Sequence, residues 1–437
     1  MLGVAEFSAR QEVSKIKILY IHQYFTTRDG ATGTRSYEFA KYLVKQGHEV
    51  TLLTGDSSLP KVHRDQIKGF YHRFAIDGIQ VIAVRNRYSN YMGFFRRAFA
   101  FFSFVFLSIL IGLFVKRHDV VLATSTPLTV AIPALFIKKL RRTPFVFEVR
   151  DLWPEAPIQL GAIRSPFLIS MLRSLERKTY KEAAHIVALS PGMEEGVGRP
   201  NVTLIPNCSD LDMFCADNMD PEDLEACRRK YGLATDKLIV IHGGAMGVAN
   251  GLEYMTDAAK ILHDRAEHDI LLVLAGEGKT RPQLEKFCME NNLKNVIITG
   301  SVPRKEVPIL LALSDITMTS FKNIPILATN SPNKFFDSLA AAKPVIVNSA
   351  GWTKDIVEKH NIGFYVDPDH PEQLANLLVE LKNQSHDLVE MGERARKLAE
   401  DKYERIKLAA QMEAVLVQAA HSSQFVESKR RVSSNEG

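Results

Sequence analysis

The pattern that most constrains this chain is a periodicity switch that occurs again and again along it. An apolar run, KIKILYIHQYF, gives way to the helical pattern SYEFAKYLVKQGHEV and then to a second apolar run, EVTLLTG. Aliphatic runs alternating with amphipathic segments of 3.6-residue period specify βαβ units, and βαβ units specify parallel sheets. The rhythm restarts at KLIVIHGG and continues through GLEYMTDAAKIL, DILLVLAGEG, PQLEKFCMENN, NVIITGS, RKEVPILLALS and DITMTS. A chain of 437 residues is too long for one hydrophobic core. The expectation is therefore an α/β protein of two Rossmann-like domains facing a cleft. The boundaries expected are a polar tail at 1–14, an N-terminal domain at 15–206, a C-terminal domain at 207–385, closing helices at 386–420 and a disordered tail at 421–437.

Composition narrows the function classes. Apolar residues at 46% and charged residues at 24% are those of a soluble globular protein. A net charge of +5 suits an anionic ligand or membrane surface and is too weak to argue for nucleic acid. The four cysteines form no C-x-x-C pair, so free thiols in a reducing compartment are expected, and no bound metal. The first fifteen residues, MLGVAEFSARQEVSK, lack the order of a signal peptide, which makes the cytoplasm the expected location.

Four stretches carry candidate chemistry. In TTRDGATGTR, Gly30 and Gly33 permit close backbone approach to a ligand. Residues 98–115, AFAFFSFVFLSILIGLFV, are uncharged and bracketed by Arg96, Arg97, Lys116 and Arg117. Their length reaches the lower limit of a membrane span, yet they occupy the crossover-helix slot before the strand DVVLATST. A helix lying in the membrane interface is the expectation, with a helix buried in the protein as its competitor. The strand FVFEVRD runs into DLWPEAP, which sets Arg150, Asp151, Trp153 and Glu155 at a strand's C-terminal edge, where open α/β sheets bind ligands. Finally, in TNSPNKFFDSLAAAKPVIV, Ser331 is expected to cap a helix with Pro332 in its first position. The amides of Asn333 and Lys334 would then meet an anion at the positive helix end, with Asp337 one turn deeper. Glycines at 243, 244, 247, 276, 278 and 300 follow strands of the second domain and would border the same cleft.

These residues carry a resemblance. IPNCSDLDMF, LAGEG and SPNKFFDSLAAAKPVIV resemble the interdomain, glycine-turn and second-glutamate segments of the retaining family-4 glycosyltransferases of GT-B architecture. EVRDLWPEAP together with SPNKFFD resembles the subgroup that includes the WbuB-type fucosamine transferases. The resemblance implies that Asp337 stands where a glutamate holds the donor ribose, that the amides of Asn333 and Lys334 bind the diphosphate, and that the loop ending at Val302 borders the nucleobase. It implies donor contacts at Gly33, Gly244, Glu277 and Gly278 as well. The chain departs from the family pattern at four places. Thr329 stands at the first glutamate, Ala245 and Asn250 at the arginine and lysine beside the diphosphate, and Ser125 or Thr126 at a histidine. Lys334, Arg150 or Arg35 would then meet the leaving charge, and Lys334 is the first choice.

The function implied is a metal-independent, retaining hexosyltransferase without a cofactor. It would move a sugar, an N-acetylated deoxyhexosamine, from a UDP-sugar to a lipid-linked saccharide of bacterial surface polysaccharide. Arg150, Asp151 and Glu155 are the catalytic candidates, Asp151 as the group ordering the acceptor hydroxyl. The expected location is the inner face of the cell membrane. A nucleotide-sugar epimerase and a non-catalytic nucleotide-sugar-binding scaffold are the alternatives.

Overall fold

The computed structural model describes residues 14–30, 33–67, 69–86, 94–382 and 385–435, and side chains for all of these but 94–98, 385 and 423–435. Most of the expected polar tail lies outside the described residues. Two sheets organise the chain. The first has the order β3-β4-β2-β1-β5-β6-β7-β8, built from β1 (Lys17–Ile21), β2 (Glu49–Gly55), β3 (Tyr71–Ile76), β4 (Ile79–Val84), β5 (Val120–Thr124), β6 (Phe145–Val149), β7 (His185–Ala188) and β8 (Val202–Leu204). The second is β11-β10-β9-β12-β13-β14, from β9 (Leu238–Gly243), β10 (Ile270–Ala275), β11 (Val296–Gly300), β12 (Ile316–Thr319), β13 (Val345–Val347) and β14 (Gly363–Tyr365). Every pairing is parallel except β3 with β4.

Strand order reverses between β1 and β5 in the first sheet and between β9 and β12 in the second. Beyond the carboxyl ends of strands at such a reversal, the flanking helices diverge to opposite faces and leave a crevice. The α/β expectation holds, and each domain has its own crevice.

The sequence reading contains one strand at IQVIAVRN. The structure adds an antiparallel partner, β3, joined to it through Asp77 and Gly78 at φ 48° and 82°. Two adjacent positive φ values are what a two-residue hairpin of matching twist requires, and Asp-Gly supplies them.

Right-handed crossovers decide which helices share a face. Helix α1 (Arg35–Lys45) leads from β1 to β2 and lies on one side. On the other side lie α2 (Phe94–Phe114), α3 (Ala131–Arg141) and α4 (Pro166–Glu182), which lead through β5, β6 and β7; α2 touches α3, and α3 touches α4. The apolar stretch at 98–115 is thus a crossover helix, with one side buried in the protein and the other exposed. Phe104 and Ser108 are fully buried, and a Cβ on Gly112 would lie 2.5 Å from Ile137 Cδ1, while Phe99, Phe102, Phe106 and Phe114 are exposed. No helix among the described residues is long and apolar enough to cross a membrane.

In the second domain the helix Asn333–Ala340, α5, leads from β12 to β13, and the chain ends with α6 (Arg405–Asn435), which returns to the first domain. Leu408, Met412 and Leu416 of α6 join the N-terminal core, and α6 packs on α1, β5 and β6. His48 Nε2 lies 2.9 Å from Glu413 Oε1, and the Tyr42 hydroxyl donates to Glu413 Oε2 at 3.1 Å. Helix α6 runs through most of the segment expected as a tail, to Asn435. Where the chain passes between domains its two crossings run side by side, with the Ser209 amide donating to the Tyr403 carbonyl at 2.8 Å.

Leu416 is fully buried at that docking face. Leu416→Ala should cost about 2–5 kcal/mol of N-terminal-domain stability, read as a lower denaturant midpoint; a shift below a few tenths would mean that α6 is not part of that core.

Candidate active site

The two crevices face each other across a cavity of about 320 Å³. Its C-terminal wall is Phe321 after β12 and the segment Asn330 to Asn333 that leads into α5; its N-terminal wall includes His22, Gly33, Thr126, Arg150 and Asp151. Helix α5 is anchored from beneath by Phe335 and Phe336, both fully buried and edge-to-face at 5.5 Å. Its cap differs from expectation. Pro332 is the N-cap, at φ −76° and ψ 126°, and the helix begins at Asn333. Ser331 does not cap it because its hydroxyl accepts from the Asn207 amide at 3.3 Å, while Asn207 Nδ2 donates to the Ser331 carbonyl at 2.6 Å. The linker between domains has taken the cap's hydrogen bond and holds the helix start against the cleft.

The Lys334 side chain turns back into the second domain. Its ammonium donates to Asn250 Oδ1 at 2.8 Å and to His242 Nε2 at 3.2 Å. His242 Nδ1 lies 3.1 Å from the Met318 carbonyl, so the proton belongs on Nδ1 and Nε2 accepts. Burial and the adjacent lysine hold His242 neutral, well below its ordinary value. Gly244 lets the lysine pass: a Cβ there would lie 3.3 Å from Lys334 Cε. No carboxylate pairs with Lys334 among the described residues, and burial lowers its pKa to about 7. Asn250 stands where the resemblance has a lysine, so the cation missing from that position arrives in space from α5. Asp337, one turn on, shares a small recess with Lys334, Gly243 and Ser338. Burial raises its pKa to about 7, against a smaller opposing pull from Arg304.

On the opposite wall, Gly33 comes so near α5 that a Cβ would lie 2.7 Å from Asn333 Nδ2 and 3.8 Å from an Arg150 guanidinium nitrogen. Glycine here is a contact requirement between domains. Asp151 accepts from the Thr126 hydroxyl at 2.8 Å, and burial raises its pKa. His22 was not singled out by the sequence. It follows β1 at the strand-order reversal, its Nδ1 is buried without a partner, and burial and Arg150 keep the ring neutral. Its place directly after the first strand of a βαβ unit was the available signal. Thr329, at the position of the family's first glutamate, packs instead toward the first domain, where the Ser190 hydroxyl donates to its carbonyl.

Lys334 and Asp337 line the recess behind this cavity and Gly244 lies against Lys334, while five other sequence candidates line neither space. Arg35 is buried inside the first domain, donating to Glu148 Oε1 at 2.9 Å and to the Ile205 carbonyl at 2.9 Å, so it props β6 against the linker and offers no charge to the cleft. Glu155 opens a short helix and pairs with Arg173 at 3.1 Å, directed away by that partner. Glu277 is half-exposed and paired with Arg281 at 2.6 Å. Gly278 is there for loop packing, since a Cβ would lie 2.3 Å from the Met246 carbonyl oxygen. Val302 packs against the second domain's core beside Leu310.

Two family models match the chain: Glycosyl transferase 4-like domain over residues 30–208, and Glycosyl transferases group 1 over residues 223–398. Alpha-D-kanosaminyltransferase of Streptomyces kanamyceticus is 24% identical over 235 residues, covering 52% of this chain and 58% of that protein. WcaI of Escherichia coli strain K12, provisionally assigned as a colanic acid biosynthesis glycosyl transferase, is 24% identical over 238 residues, covering 51% and 57%. The match thus spans little more than half the length of these curated relatives. HepE of Anabaena, solved in complex with UDP-glucose, shares the fold at a TM-score of 0.68 over 92% of this chain and 100% of that one, at 18% identity.

The two shifted groups give the unliganded protein a pH signature. Asp337 is raised from 3.8 to about 7, so folding favours its protonated form and stability falls as pH rises from about 4 to about 7. Lys334 is lowered from 10.5 to about 7, so folding favours its neutral form and stability rises between about 7 and 10.5. Asp337→Asn should flatten the acidic limb of melting temperature against pH, and Lys334→Met the alkaline limb; unaltered limbs would show that neither group is desolvated as the structure has it.

Proposed function

Because this chain belongs to the GT-B glycosyltransferases, both of its domains being matched by glycosyltransferase family models, we propose that it transfers a hexose-type sugar from a UDP-sugar to a lipid-linked saccharide in bacterial surface polysaccharide synthesis. The observation that carries this reading is the Lys334 ammonium, held by neutral partners just behind the N-terminus of α5, the helix start whose Pro332 and Asn333 wall the cleft. A diphosphate fits the need there. It would supply the counter-charge that Lys334 lacks, take hydrogen bonds from the first amides of α5, and be favoured by the helix dipole. The guanidinium of Arg150, which forms no ion pair among the described residues, would close on it from the other domain near Gly33.

In this reading the acceptor hydroxyl attacks the sugar's anomeric carbon as the bond from that carbon to the β-phosphate oxygen breaks. The departing UDP keeps the electron pair, and the acceptor's proton passes to a phosphate oxygen on the same face, so configuration is retained. Lys334, Arg150 and the α5 amides stabilise the charge that develops on the leaving group, which is the part a metal ion would otherwise play. Asp337 contacts the ribose. Asp151, with its raised pKa and its Thr126 bond, orders the acceptor hydroxyl. An N-acetylated deoxyhexosamine donor and the WbuB-type subgroup are supported by EVRDLWPEAP and SPNKFFD together with the departures at Thr329, Ala245, Asn250 and Ser125 or Thr126. Peripheral attachment at the cytoplasmic face of the membrane is supported by the exposed phenylalanines of α2.

A thermal-shift screen of UDP-sugars tests the donor class, since a ligand that binds only the native state raises the melting midpoint. UDP and at least one UDP-hexosamine should raise it. Lys334→Ala should weaken UDP binding by about tenfold or more in calorimetry, the scale of a charge-assisted hydrogen bond. Unchanged affinity would remove Lys334 from the diphosphate role.

A further inference from the structure

The three crossover helices α2, α3 and α4 lie side by side in one layer over the N-terminal sheet. Their inner sides make the core; their outer sides are unusually apolar. On α2 the exposed residues Phe99, Phe102, Phe106, Leu110 and Phe114 follow a spacing of three and four, which is a single stripe along the helix. Phe99, Phe102 and Phe114 are 75%, 69% and 84% exposed. The neighbours continue the surface. Phe136 and Leu140 stand one turn apart on α3, and Phe167 and Met171 one turn apart on α4, with Phe167 80% exposed. Solvent-facing phenylalanines on three adjoining helices are not the scattered single apolars of an ordinary surface.

Charge identifies what covers them. Between residues 94 and 142 the sequence holds eight lysines and arginines against one carboxylate, Asp119. Lys116 and Arg117 directly follow α2, and Lys139 and Arg142 frame the end of α3; all four are exposed. An apolar face rimmed by cations matches the boundary of an anionic bilayer, where aromatic rings enter the acyl region and ammonium and guanidinium groups stay with the headgroups. A second copy of this chain would bring the same positive rim against itself.

We propose that the outer face of α2, α3 and α4 together is a docking surface for an anionic lipid bilayer. This rests on the peripheral reading above and adds to it two helices whose exposed apolars no single sequence segment reveals. The face belongs to the domain whose cleft wall carries Asp151, so docking would bring the acceptor side of the site to the membrane that holds a lipid-linked saccharide.

The test is co-sedimentation of the full chain with phosphatidylcholine vesicles, with and without phosphatidylglycerol. The protein should sediment with the mixed vesicles, be released as salt is raised, and bind the neutral ones weakly. Phe167→Ser with Met171→Ser on α4 should lower the bound fraction several-fold, as should Phe102→Ser with Phe106→Ser on α2. In each variant the UDP-induced rise in melting midpoint should stay as in the parent, which certifies folding and separates this proposal from donor binding. If the α4 variant binds like the parent, the three-helix face is wrong and α2 docks alone. If neither vesicle captures the protein, and the parent is a dimer that the α2 variant splits, the face is a subunit interface and the proposal is overturned.

Discussion

A lysine ammonium held by an amide oxygen and an imidazole nitrogen, with no carboxylate paired to it among the described residues, sets the terms for this site. A charge half-withdrawn from water and given only neutral partners is costly, which is why Lys334 is pulled down to about 7. A paired lysine would have been cheaper to fold and of less use, because its carboxylate would compete with any incoming anion. Leaving the counter-ion out stores that deficit until a ligand supplies the charge. The same logic applies to Asp337, which burial holds near neutrality until a partner reaches it.

The remainder of the fold serves to hold that arrangement at a cleft. The strand-order reversals put His22 and Thr126 on one wall and Phe321 on the other. The buried Arg35–Glu148 pair ties β6 to the linker, and a buried pair that loses one partner costs about 3–5 kcal/mol. It stiffens the wall that carries Arg150 and Asp151 without touching the cavity. Asn207 and Ser331 join the linker to the start of α5, and Arg405 binds Asp210 of that linker where the chain returns to the first domain. Domain spacing and helix position are therefore set by one cluster of bonds at the crossing.

Several features were legible in the residues themselves. The two sets of βαβ units, a helix starting beside Pro332 and the place of Arg150 and Asp151 just beyond a strand's carboxyl end all follow from local periodicity and strand ends. What failed did so for physical reasons. Ser331 has the composition of a cap, but a competing donor on the linker claimed its oxygen. Arg35 and Glu155 have the charge of site residues, but each found a partner far away in sequence, Glu148 and Arg173. The β3 hairpin was readable from Asp77-Gly78, so that strand was missed with its signal present.

By itself, the sequence determined the α/β class, the division into two domains and the apolar character of α2, because periodicity and composition are local properties that packing rarely overrides. Only the tertiary structure decided that Lys334 occupies the space beside Asn250, that His22 faces the cleft, and that α2 shares its exposed face with α3 and α4. Each of those facts depends on which distant elements meet. Strand order and crossover handedness determine that, and a one-dimensional pattern of residues does not carry it.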